Sequence, residues 1–291
     1  MELLLYFFLF VLGACFGSFG SVLIWRLKGE ITKDTINGIL YGRSECPTCK
    51  TILGASDLVP IFSWLFNKGK CAHCGGKVSS FYIFLEILSG IAFVFSYWFV
   101  IQYLGYSEID GFFLKNLIFM IGINWMLVLV VMSDLLFYEM SDIYRIMMSL
   151  WIVIWQFTGN VGNFQDAFFA SLIFLAGFGF IYLFGRAYVW FRFKTNMEGF
   201  GFGDVIIGFL VGLMYPFFLG DISNELGDVY FMFIIYMFFS SFTGILFSVG
   251  RNLIHREPQG QSIPFLPAMV VSFWILLVYG NTILQALKDL V

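Results

Sequence analysis

Apolar residues along this chain gather into eight long runs, separated by short polar stretches and by one long polar segment. The runs are approximately Leu3–Trp25, Phe81–Leu104, Leu117–Ser133, Ile143–Phe157, Phe168–Trp190, Val205–Leu219, Val229–Val249 and Pro264–Leu284. Crossing about 30 Å of hydrocarbon takes roughly 20 predominantly apolar residues in a helix. The pattern therefore predicts an all-α polytopic membrane protein with about eight transmembrane helices, the fourth and sixth runs being the shortest. The long polar segment lies between the first two helices. Leu3–Trp25 lacks a basic start, exceeds an ordinary signal-peptide core and is followed by Arg26 and Lys28, so it reads as a retained helix. The predicted organisation is a first helix over 1–25, a loop over 26–80 and a seven-helix core over 81–291.

Composition agrees. Apolar residues make up 60% of the 291 and charged residues 12%, with 39 Phe and 30 Gly. Mean hydropathy is +0.87. A soluble domain averages about 25% charge, so a soluble fold is excluded, and so much apolar surface excludes disorder.

The position of the charges says more than the net charge of −3. Alternating the sides of the inter-helix segments puts Arg26, Lys28, Lys33, Arg43, Lys50, Lys68, Lys70, Lys77, Arg145, Arg186, Arg192, Lys194, Arg251 and Arg256 on one side. Lys115 and Lys288 are left on the other. Cytosolic loops are the ones enriched in Lys and Arg. Both termini are accordingly expected outside and the loop 26–80 in the cytosol. The partner that this pattern implies is the lipid bilayer; no nucleic-acid partner is expected.

Candidate chemistry falls into two groups. The loop carries Cys46-Pro-Thr-Cys49 and Cys71-Ala-His-Cys74. Two such tight turns can present four thiolates to one zinc ion, closing its shell and leaving no open position for catalysis. The alternatives are two disulfides or four reduced thiols; a cytosolic loop disfavours lasting disulfides. A structural zinc-ribbon-like loop is the favoured reading, with Cys46, Cys49, Cys71 and Cys74 as ligands and His73 left out. Cys15, inside the first run, is expected to pack as a small apolar residue.

The second group is carboxylates at helix edges: Glu86, Asp134, Asp142 and Asp204. Carboxylates are costly in lipid and mark function by default. Asp134 closes the third run, and Asp204 follows Gly199-Phe-Gly-Phe-Gly203 just before the sixth. Both fall at the cytosolic boundary, where two carboxylates at one depth could share a proton and activate water. The competing readings are a helix cap for Asp204, close helix packing for the glycines and solvated loop charges for Asp134 and Asp142. The helix ends alone would favour the shared proton on Asp134, near a C-terminus, with Asp204 ionised near an N-terminus.

Several segments together resemble the bacterial prepilin peptidase family, leader peptidases and N-methyltransferases of type IV pilus and type II secretion systems. They are Gly17-Ser18-Phe19 through Arg26-Leu27, then Gly42-Arg43-Ser44 with the two cysteine pairs, and Val59 to Leu65 between those pairs. Phe81-Tyr82 through Glu86, Asp134 with Asp142, Gly201-Phe-Gly-Asp204 and Ile263-Pro-Phe-Leu-Pro267 follow in order. The resemblance implies a GxGD aspartic intramembrane peptidase with Asp134 and Asp204 as the catalytic pair. Glu86, Asp142, Gly201 and Gly203 become candidates for positioning substrate. It further implies prepilin or pseudopilin substrates cut after a glycine, methylation of the new N-terminus from S-adenosylmethionine, and residence in the bacterial inner membrane. The family usually has Asn at Ser21, Pro at Lys28 and Pro at Ser141. The first two of these differences bear on the methyl-transfer half. Rival expectations are an ion-coupled transporter, which would place carboxylates near the membrane midplane in related halves, and a non-catalytic zinc-ribbon docking protein.

Overall fold

The computed structural model describes residues 2–28, 32–103, 105, 110–137, 141–158, 164–194, 201–215, 226–255 and 265–289, with side chains at 103, 158, 193, 226 and 251–255 left aside. Gly199 and Phe200 of the glycine stretch, Ile263 and Pro264 of the last motif, and Arg256 lie outside the described residues.

Each of the eight apolar runs is mainly helical over its described residues. In chain order the helices are α1 (Glu2–Arg26), α2 (Lys33–Tyr41), α3 (Phe62–Phe66), α4 (Phe81–Tyr103), α5 (Gly111–Phe137), α6 (Asp142–Thr158), α7 (Phe164–Phe193), α8 (Phe202–Leu213), α9 (Leu226–His255) and α10 (Leu266–Lys288). Among the described residues, six are long and apolar enough to cross a membrane: α1, α4, α5, α7, α9 and α10. The chain is thus a multi-pass membrane protein. Helix α8 is apolar but short, and α6 has 17 residues, in line with the two weakest runs of the sequence.

The chain divides into two compact units, Met1–Met132 and Ser133–Val291. In the first unit α1 packs along α4. Its buried face is Leu9, Gly13, Ala14, Gly17, Gly20, Leu23 and Ile24, a stripe of three- and four-residue steps. The glycines set the separation. A Cβ on Gly13 would lie 2.6 Å from the Ser89 carbonyl oxygen, and one on Gly17 would lie 2.7 Å from the Glu86 Cα. Small residues let membrane helices approach to backbone contact, where van der Waals packing supplies the attraction that water cannot. Cys15 departs from expectation: it is exposed on α1, because the glycine stripe already takes the packed face. Deeper in this unit Asn124 donates to Ser96 (2.9 Å), which donates to the Met120 carbonyl (3.0 Å). These polar groups satisfy one another where no water is at hand.

In the second unit α7 packs against α8, and α9 against α10. Again glycine permits the approach, since a Cβ on Gly212 would lie 2.6 Å from the Ser171 Cα. Phe174, Phe178, Phe233 and Tyr236 form an aromatic cluster between α7 and α9, with ring centroids 5.3–6.0 Å apart. At the other end from His255, the buried Asp228 of α9 pairs with Lys288 at 2.8 Å, tying the start of α9 to the end of α10.

Candidate functional site

The cysteine loop belongs to the first unit, and its two turns are built alike. Lys50 N–H donates to the Cys46 carbonyl (2.9 Å) and Cys46 N–H to the Thr51 carbonyl (3.0 Å). Gly75 and Cys71 repeat this pattern with Cys71 and Gly76, at 2.9 and 2.8 Å. The residue after each second cysteine is left-handed, Lys50 at φ 58° and Gly75 at φ 69°, which bends each turn enough to bring its two sulfurs together. Short bridges, Glu45 with Ile52 and Lys70 with Lys77, close the turns.

The four sulfurs all lie within 4.8 Å of one another. Cys46 and Cys74 Sγ are 3.9 Å apart, far beyond a disulfide bond. Four sulfurs placed about 2.3 Å from a central ion at tetrahedral angles would be separated by roughly 3.8 Å. The cluster therefore fits a four-thiolate metal site. His73 points elsewhere: its Nε2 meets Asp57 Oδ2 at 3.2 Å. Asp57 also accepts the Gly54 N–H (3.0 Å).

Glu86, 8% exposed on α4, reaches this loop. Its Oε2 accepts the Ile61 N–H at 2.6 Å, and Ser18 of α1 also hydrogen-bonds its carboxylate. Ile61 has φ 65°, a costly conformation for a β-branched residue. Glu86 thus joins α4, α1 and the loop at one point. Arg26 does a related task at the end of α1: its guanidinium caps α2 through the Gly38 carbonyl and reaches the Arg43 carbonyl at 3.4 Å.

The paired aspartates belong to the second unit. Asp134 lies in the last turn of α5, 6% exposed, and Asp204 in the first turn of α8, 8% exposed. Their carboxylates are near enough to act on each other electrostatically. Asp204 Oδ2 accepts the Gly201 N–H at 3.1 Å, the cap expected of an acidic residue at this helix position. Asp134 accepts the backbone N–H of Leu266, the first residue of α10, while its Oδ2 has no protein partner among the described residues. Three helix ends thus converge: the C-terminus of α5 and the N-termini of α8 and α10. Tyr236 of α9 is close enough to Asp204 to feel its charge, and it fixes α9 to α10 through the Met269 carbonyl (3.0 Å).

Asp142 opens α6 and forms an ion pair with Arg145 one turn on. Arg145 in turn lies against the glycine turn: a Cβ on Gly203 would be 3.3 Å from its Nη1. From the sequence alone Arg145 bears only on the assignment of sides, and Leu266 only on the last motif. A cation one helical turn past an acidic residue at a helix start was the available signal for the first.

A family model described as Bacterial Peptidase A24 N-terminal domain matches residues 11–100. A prepilin leader peptidase/N-methyltransferase of Bacillus subtilis (strain 168) is 25% identical over 285 residues, covering 95% of each chain. These two matches support the prepilin peptidase family. Other relatives of the same description point the same way. One from Aeromonas salmonicida is 25% identical, covering 96% of this chain and 92% of its own. One from Myxococcus xanthus is 38% identical over an 86-residue stretch, 30% of this chain and 24% of its own. No solved structure matches.

Proposed function

We propose that this chain is an intramembrane aspartic endopeptidase that removes the leader peptide of type IV prepilins or pseudopilins at the cytosolic membrane face. In the same reading it then N-methylates the new N-terminus. The observation that carries the peptidase half is the pairing of Asp134 with Asp204 in one unit. Both are buried, each is held by one backbone N–H, and one oxygen of Asp134 is left without a protein partner among the described residues.

A buried carboxylate pair holds one proton more easily than none or two. The ionised member takes a proton from water as the water oxygen attacks the scissile carbonyl carbon. The protonated member donates a hydrogen bond to the carbonyl oxygen as charge develops there. When the tetrahedral species collapses, the C–N bond breaks and a proton passes to the departing nitrogen. The backbone N–H groups of Gly201 and Leu266 orient the two carboxylates without occupying both oxygens of either residue.

The four cysteines would hold zinc as a fold-closing ion, with no open position for substrate. S-adenosylmethionine is the methyl donor that the second activity calls for; among the described residues no set of side chains singles out a place for it. The charge distribution supports the cytosolic side for the loop and the aspartates, in the bacterial inner membrane. The organisation into helix 1–25, loop 26–80 and core 81–291 belongs to this reading as well.

The deciding experiment incubates purified protein with a prepilin peptide carrying a basic leader that ends in glycine. Mass spectrometry should find cleavage after that glycine, and a gain of one methyl group when S-adenosylmethionine is added. Intact peptide with the wild-type protein, or full cleavage by Asp204→Asn, refutes the peptidase reading and returns weight to a transporter or docking protein.

A further inference from the structure

Resting on the peptidase reading, we propose that Arg145 is a positioning residue for Asp204, held in place by Asp142 and seated against Gly203. Three features lead there. Arg145 occurs one turn into α6, and its side chain is 20% exposed while that of Asp142 is 78% exposed. The guanidinium is therefore the inner member of the ion pair and the carboxylate the outer. Its Nη2 pairs with Asp142, and its Nη1 is the atom nearest to where a Cβ on Gly203, the residue before Asp204, would stand. Finally, a Cβ at 203 would stand 3.3 Å from Nη1, a tight approach to which the guanidinium would have to yield by a few tenths of an ångström.

Two carboxylates that share one proton must both stay aimed at the scissile bond, so the turn that carries Asp204 has to hold its place. Arg145 keeps its charge at every working pH, and its planar fork resists drift once one edge is held by Asp142. It touches neither the water nor the scissile bond. Its effect passes through the Gly201–Asp204 turn: it fixes the height at which α8 begins and thereby the aim of the Asp204 carboxylate. A misplacement of about 1 Å can cost 100-fold in rate.

The test uses full-length protein in lipid nanodiscs and the prepilin peptide, with kcat and KM measured for Arg145→Gln, Arg145→Lys, Asp142→Asn and Gly203→Ala. Arg145→Gln should lower kcat about 10- to 100-fold with KM within about threefold, the signature of lost transition-state alignment rather than lost binding. Arg145→Lys should recover at least a tenth of wild-type kcat. Asp142→Asn and Gly203→Ala should lower kcat in the same direction, since each lets the guanidinium leave its seat. Tryptophan-monitored thermal unfolding should be unchanged for Arg145→Lys, which keeps the comparison valid if the Gln variant is poorly folded. Wild-type kcat in Arg145→Gln overturns the proposal. So does a rise in KM at constant kcat, or a Lys variant as impaired as the Gln variant with normal unfolding. A wild-type protein that leaves the peptide intact removes the peptidase reading, and this inference with it.

Discussion

At the residue scale, the proposed catalytic pair should act as one device, so its parts should fail together. Replacing Asp134 or Asp204 by Asn should each reduce cleavage at least about a thousandfold, and the double variant should be no worse than either single one. Additive losses in a steady-state peptide assay would mean that the two act separately. Glu86 makes a different kind of statement. It accepts from Ile61, whose left-handed φ of 65° costs on the order of 1–3 kcal/mol for a residue of its kind. Ile61→Gly should therefore stabilise the loop locally, whereas Glu86→Leu should release it. Limited proteolysis in detergent would show slower cutting between 50 and 70 in the first variant and faster cutting in the second. How far a sequence discloses such a site depends on what each residue's role requires. Asp134 and Asp204 stand out because a carboxylate at a helix edge in lipid needs a reason. Arg145 and the Leu266 N–H do not, since an arginine near a helix start has many uses and a backbone N–H has no identity. The helix-end argument for the shared proton shows the gap. Hydropathy marks the ends of α5 and α8, while the structure brings a third, the start of α10, to Asp134.

At the scale of elements, apolar periodicity disclosed the helices because length and hydropathy alone decide who crosses a bilayer. It could not disclose their partners. The contact between α1 and α4 depends on Gly13 and Gly17 meeting backbone atoms at under 3 Å from any added Cβ. Gly13→Val should force these helices apart, and overpacking of this kind costs about 1–3 kcal/mol or more. A lowered unfolding midpoint in detergent with unchanged helix content would confirm it; an unchanged midpoint would show that α1 and α4 have slack. The cysteine turns were more legible, since spacing fixes which sulfurs can meet. What spacing left open, disulfide or metal, the 3.9 Å separation of Cys46 and Cys74 addresses directly. Replacing Cys71 by Ser should lose bound zinc and expose the loop to protease, because a closed site contributes folding energy itself. Stoichiometric zinc in a protein lacking both Cys71 and Cys74 would contradict a four-cysteine site.

At the scale of the whole molecule, the charge asymmetry makes a prediction that no single helix makes. With 14 of the 16 basic residues assigned to one side, a reporter fused within 159–163 should label from outside the cell, and one in the loop 26–80 should not. Reversed labelling would invert every statement about the cytosolic face. The asymmetry could be read without coordinates because it depends on order along the chain. The division into two units at residue 132 could not, because it falls inside the continuous helix α5 and leaves no mark on hydropathy.

The twin turns of the cysteine loop carry one further consequence. Each is complete in its own hydrogen bonds, so a bound ion would act as a clasp between two finished halves, and the 21 residues between Cys49 and Cys71 become a tethered bight. The entropic penalty of closing such a bight grows only with the logarithm of its length, about 0.6 kcal/mol per doubling. A short Gly-Ser insertion beside the exposed Gly54 should then leave the clasp intact. Evolution could lengthen or restyle this stretch to suit different cargo while the membrane-embedded machinery stays as it is.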